Sequence, residues 1–142
     1  MPGNYGLGMG AWGNGIYDND DAADWSGDLA SGGASTISVA LDAALNTEYL
    51  ESPDGASALA AADVVARLRS GGGVSSAYSE GVEAWVKENQ STPADDLVER
   101  ALRALAVVRG PNSELMELWS EDPDALAAWS AEIDDVERRL KA

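Results

Sequence analysis

The chain has 142 residues and sets 25 Asp and Glu against nine Lys and Arg, a formal net charge of -16 with a pI near 4.1. So acidic a surface repels phosphate instead of displacing its counterions, which excludes general nucleic-acid binding. There is no His and no Cys, so imidazole acid-base work, thiol nucleophiles, thiolate metal sites and disulfides are excluded together.

Six glycines between Gly3 and Gly15 make residues 1 to 16 too costly in backbone entropy for a helix. They are expected as a loop, anchored by Trp12 and Ile16. Asn19 or Asp20 is the expected N-cap of a first helix whose acidic first turn suits the positive end of the helix dipole. That helix buries Ala22, Trp25 and Leu29 and stops at Ser31-Gly32-Gly33. Ile37, Leu41, Leu45 and Tyr49 at four-residue spacing, with Ala40 and Ala44 beside them, predict a second helix over 35 to 50.

Three later starts share one signal, a capping residue followed by proline: Ser52-Pro53-Asp54, Thr92-Pro93-Ala94-Asp95 and Asp122-Pro123-Asp124. They predict helices over 54 to 69, 93 to 109 and 123 to 141. After the break at Gly71-Gly72-Gly73, a shorter helix holds Val82, Trp85 and Val86. Another, capped by Asn112 or Ser113 behind Pro111, presents Leu115, Leu118 and Trp119. In the last helix Leu126, Trp129, Ile133, Val136 and Leu140 form one apolar face. Its outer face is expected to pair Asp134 with Arg138, Asp135 with Arg139 and Glu137 with Lys141, each pair worth about 0.2–0.5 kcal/mol.

No stretch alternates cleanly, so no significant sheet is expected. The expected fold is all-α: a single helical domain over 9 to 142 with six or seven helices and a glycine-rich loop packed on it, preceded by a flexible extension over 1 to 8. A hydrophobic share of 45% supports a core. With no Phe, its large side chains are Leu, Val, five Trp and four Tyr. No window reaches the roughly 18 uninterrupted apolar residues of a membrane span, and no basic stretch followed by an apolar run opens the chain. A cytoplasmic protein without membrane contact, a monomer or weak homodimer, is the expectation.

The segment GAWGNGIYDNDDAADW, residues 10 to 25, resembles the opening signature of small bacterial proteins grouped as domain of unknown function 4259. YLESPDGASALAAADVVARL, SELMELW, Trp129 and the run Glu137-Arg138-Arg139-Leu140 are similar to later parts of the same family. The resemblance therefore spans Met9 or Gly10 to Leu140. It implies a single helical domain and, since the family carries no assigned activity, no chemistry.

The signature loop is the densest polar constellation, and Trp12, Asn14, Asp18, Asn19, Asp20, Asp21 and Trp25 are its candidate binding residues. Asp18-Asn19-Asp20-Asp21 invites a calcium reading. An EF-hand loop counted from Asp18 would place Ala22 and Ala23 where a ligand and a glycine are required, so these side chains are expected as helix caps and loop ties, with no metal and no cofactor. Gly8-x-Gly10-x-x-Gly13 follows no strand and precedes acids, which excludes a phosphate cradle. Trp25, Trp85, Trp119 and Trp129 are expected in the core, while Trp12, on the loop, can serve as a contact residue as readily as a plug.

Charge is also uneven along the chain: the first 66 residues carry ten acids and no base. The favoured expectation is a non-enzymatic protein that binds a macromolecule, a basic protein in particular, through an acidic surface. The alternative is a carboxylate-dependent hydrolase or divalent-cation binder working from residues 10 to 25.

Overall fold

The run of small apolar residues from Ala56 to Ala66 sets the architecture. A helix hydrophobic all round has no solvent face to offer and must be enclosed by others. In the computed structural model, which describes residues 13–142, this run forms the middle of α3 (Ser52–Ser70). The other helices are α1 (Asp20–Gly32), α2 (Ser35–Leu45), α4 (Glu80–Glu88), α5 (Asp95–Val108), α6 (Glu114–Trp119) and α7 (Pro123–Lys141). Each of these six packs on α3. Its alanines let them approach closely, and Ala58, Ala60, Ala61, Ala62, Val64, Val65 and Ala66 are fully buried.

Around that axis the expected faces close one core. α1 contributes Ala22, Trp25 and Leu29, α2 Ile37 and Leu41, α5 Val98, Leu105 and Val108, and α7 Trp129, Ile133, Val136 and Leu140. Trp119 and Trp129 stack with centroids 6.1 Å apart. Trp85 departs from expectation, packing against this core only half-buried. The described residues thus form the all-helical domain that periodicity predicts, with seven helices. Leu50 and Ser113 form an isolated parallel bridge. No described helix is long and apolar enough to cross a membrane.

Helix ends differ from expectation more than helix faces do. α2 stops at Leu45 instead of 50, because the Asn46 backbone N–H and side-chain amide both donate to the Asp42 carbonyl. The chain then turns: Leu50 is buried and donates its N–H to Asn112 O, while its own carbonyl accepts from Glu114 N. Tyr49, expected on the apolar face, is left 41% exposed.

Two of the three proline-marked starts are also shifted. α3 begins at Ser52 itself, whose N–H donates to Glu114 Oε1 at 2.7 Å, so the cap comes from α6 and not from Ser52. α5 begins at Asp95, two residues past Pro93, without a side-chain cap. Asn19, Ser113 and Asp122 do cap α1, α6 and α7.

On α7, Asp135–Arg139 and Glu137–Lys141 pair as expected. Asp134 instead meets Arg109 of α5 at 2.9 Å, and Arg138 turns to Asp135. Arg139, expected on the outer face, is buried.

Candidate functional site

The buried Arg139 has a reason to be inside. Asp63 stands in the apolar run of α3 at 1% exposure, and an isolated carboxylate there would be prohibitive to desolvate. One of its oxygens accepts from Arg67 Nε at 2.7 Å and from the Tyr17 hydroxyl at 2.6 Å; the other accepts from Arg139 Nη2 at 2.5 Å. Arg67 lies 5.7 Å from the Tyr17 ring centroid and donates to Val74 O, and Arg139 also donates to Asp135. Burial, then the Asp63 charge and hydrogen bond, push the Tyr17 hydroxyl well above the usual tyrosine range, so it stays protonated and donates.

Gly71, Gly72 and Gly73, all at positive φ, carry the chain over the two arginines. A Cβ at Gly73 would stand 2.6 Å from Arg67 Cζ, and one at Gly72 would stand 2.7 Å from Arg139 Cδ. The triple glycine is therefore a strap over the ion cluster, as well as the helix break read from sequence.

Beside this cluster a cavity of about 100 Å³ opens between the signature loop, α3 and α7, lined by Asp18, Tyr17, Glu132 and Asp135 among others. Glu132 is half-buried. Burial, then Asp135, Asp18 and Asp63, raise its carboxyl above the usual range. A smaller apolar cavity of about 30 Å³ lies on the other side of the loop, lined by Ile16, Asn19, Asp21, Leu115, Leu118 and Trp129 with four others. Burial, then Asp24 and Asp20, raise the Asp21 carboxyl.

These two cavities divide the candidate loop residues. Asp18 faces the first and ties the loop by accepting from Gly15 N at 3.1 Å. Asn19 and Asp21 face the second. Asn19 is the helix cap at 2.8 Å from Ala22 N, as expected. Asn14 donates to Ala125 O at 3.4 Å, tying the loop to α7. Asp20 is exposed, and Trp25 is core, its indole N–H without an acceptor among the described residues. Trp12 lies outside the described residues. The loop residues therefore do not converge on one centre, and among the described residues no three carboxylates are placed to hold a metal ion.

Sequence reading missed Tyr17, Asp63, Arg67, Arg139 and Glu132. A signal existed for two of them: Asp63 and Arg67 form an i,i+4 pair inside an otherwise apolar run.

Outside the cavities, acids collect toward the first turn of α3, a helix about 28 Å long at 19 residues. Leu115 of α6 packs on the first turn of α3 at Gly55, and Asp21 of α1 shares the small cavity with Ala56 and Leu115. That end therefore gathers Asp20, Asp21, Glu51, Asp54, Glu114 and Glu117, and Asp24 and Asp28 continue the line of Asp20 along α1. Among the described residues none of these acids forms an ion pair. Arg67 and Arg69 lie in the last turn of α3. Ser70 bonds to Arg139 O, which brings the basic last turn of α7 to the same end, and Lys87 shares a surface groove with Gly71 and Gly72. Three of the ten early acids are consumed: Asp18 by the loop, Asp42 by Arg100, and Asp63 by the ion cluster.

A family described as Domain of unknown function (DUF4259) matches residues 10–132, and the chain belongs to it. The match contains Tyr17, Asp63 and Arg67, and Arg139 lies past its end. No curated protein and no solved structure matches the chain.

Proposed function

We propose that this member of the family acts by non-enzymatic binding of a basic protein through the acidic pole at the start of α1 and α3. The observation that supports the reading is the uneven pairing of charge: among the described residues the acids of that pole have no basic partner, while Arg67, Arg138, Arg139 and Lys141, toward the other end of α3, are each paired with an acid. Like charges four apart, as at Asp20, Asp24 and Asp28, cost a helix about 0.2–0.5 kcal/mol per pair, so the chain carries a local penalty that a bound cationic surface would relieve. A pole of one sign also orients and accelerates encounter with a partner of the other.

Capture from the native cell tests this. A basic protein is expected to be retained at low salt, released at high salt, and lost from an Asp20→Asn/Asp24→Asn/Asp28→Asn variant. Recovery of the same proteins by wild type and variant would overturn the proposal.

A further inference from the structure

The charges that wall the cavity between the signature loop, α3 and α7 do not balance. Four carboxylates line it, those of Asp18, Asp63, Glu132 and Asp135. Three arginines answer them: Arg67 and Arg139 pair with Asp63, and Arg138 and Arg139 pair with Asp135. One negative charge is left over. Asp18 accepts from Gly15 N, whereas the half-buried Glu132 has neither a hydrogen-bond donor nor an ion pair among the described residues. A carboxylate so placed costs stability, and destabilising placements of this kind are characteristic of binding sites.

The same cavity also has an unanswered donor. The Arg67 side chain is 6% exposed; its Nε donates to Asp63 and its Nη2 to Val74 O, and Nη1 has no acceptor among the described residues. Arg67 reaches the cavity from α3, and Glu132 reaches it from α7. The volume of about 100 Å³ is several times the roughly 10–15 Å³ that one water needs, which leaves room for a molecule of a few heavy atoms. Ile16 and Val74 offer that molecule alkyl surface to lie against.

These walls define the ligand. An anion would meet the surplus carboxylate, and a purely apolar molecule would leave Glu132 and Arg67 Nη1 unsatisfied. A bare metal ion finds no three carboxylates placed to hold it among the described residues. A protonated primary amine with an oxygen acceptor a few bonds away satisfies both groups.

We infer that this cavity binds a small protonated amine carrying a carbonyl or hydroxyl oxygen, an amino-acid amide or an amino alcohol, with Glu132 accepting from its ammonium group and Arg67 Nη1 donating to its oxygen. The inference does not depend on the acidic-pole reading. Burial, then Asp135, Asp18 and Asp63, raise the Glu132 carboxyl, with Arg139 opposing. Glu132 must give up its proton to pair with the ammonium group, so proton and ligand compete.

The test is backbone amide NMR of the full chain titrated with glycinamide, beside ethylamine, which lacks the oxygen, and glycolamide, which lacks the ammonium group. Glycinamide is expected to give saturable shifts at residues 15 to 18 and 132 to 135, to bind more tightly than either control, and to bind better as pH is raised from acid toward neutrality. Glu132→Gln is expected to weaken it about tenfold, while Glu88→Gln, on the exposed surface of α4, binds as wild type does. Glu132→Gln removes an uncompensated charge and leaves the fold intact. The inference would be overturned by an absence of saturable shifts, by equal binding to wild type and Glu132→Gln, by an affinity indifferent to pH, or by either control binding as tightly as glycinamide. Each of these results would leave the acidic pole standing.

Discussion

Glu132 is a carboxyl in a poor position to be charged: half-buried, facing Asp18, Asp63 and Asp135, and relieved only by Arg139. Its folded value is raised, so the folded chain holds that proton more tightly than the unfolded chain does. The stabilisation is complete below the ordinary glutamate range and is lost as pH rises through the raised value. Glu132→Gln is therefore expected to resist urea better than wild type at neutral pH, and the difference should shrink as pH is lowered. Two parallel pH profiles would contradict this. Asp63 lies deeper, with three donors on its two oxygens, and removing it would strand two arginines in the interior. Nothing in composition separates these acids from the 23 others. Asp63 was legible only as a charge within an apolar run, and Glu132 not at all, because its environment comes from other elements.

Helix faces were readable because a 3.6-residue period is a local property. Helix ends were not, where the capping group came from far along the chain: Glu114 caps α3 across 62 residues, a partner that no local signal names. The Gly71-Gly72-Gly73 segment shows the same limit, being legible as a break but not as a strap. Its role has a measurable consequence. Gly71, at φ +79 and ψ -158, has nothing within 4 Å of an added Cβ, so Gly71→Ala should cost only the backbone penalty of about 1–3 kcal/mol. Gly73→Ala also drives a methyl into the Arg67 guanidinium, which must leave Val74 O and disturb Asp63. Urea unfolding is expected to show the larger loss for Gly73→Ala. Equal losses would mean that the strap does not hold the arginine.

Over the whole molecule, the uneven charge of the sequence becomes a group of acids at the start of α1 and α3 that have no basic partner among the described residues. The excess of acids before Arg67 was visible in the chain order. Its location in space was not, since that depends on α6 returning to the start of α3. A net charge of -16 confers solubility wherever its acids lie, and a binding function requires that their location matter. Two variants of equal net charge separate these. Asp20→Asn/Asp24→Asn/Asp28→Asn neutralises the acidic pole, and Glu88→Gln/Asp95→Asn/Glu99→Gln removes three exposed acids that belong to α4 and α5. The decisive measurement is calorimetric titration of both with a short oligoarginine peptide at moderate salt. The account predicts that the pole variant loses most of its affinity while the control binds as wild type does; equal weakening of the two would contradict it.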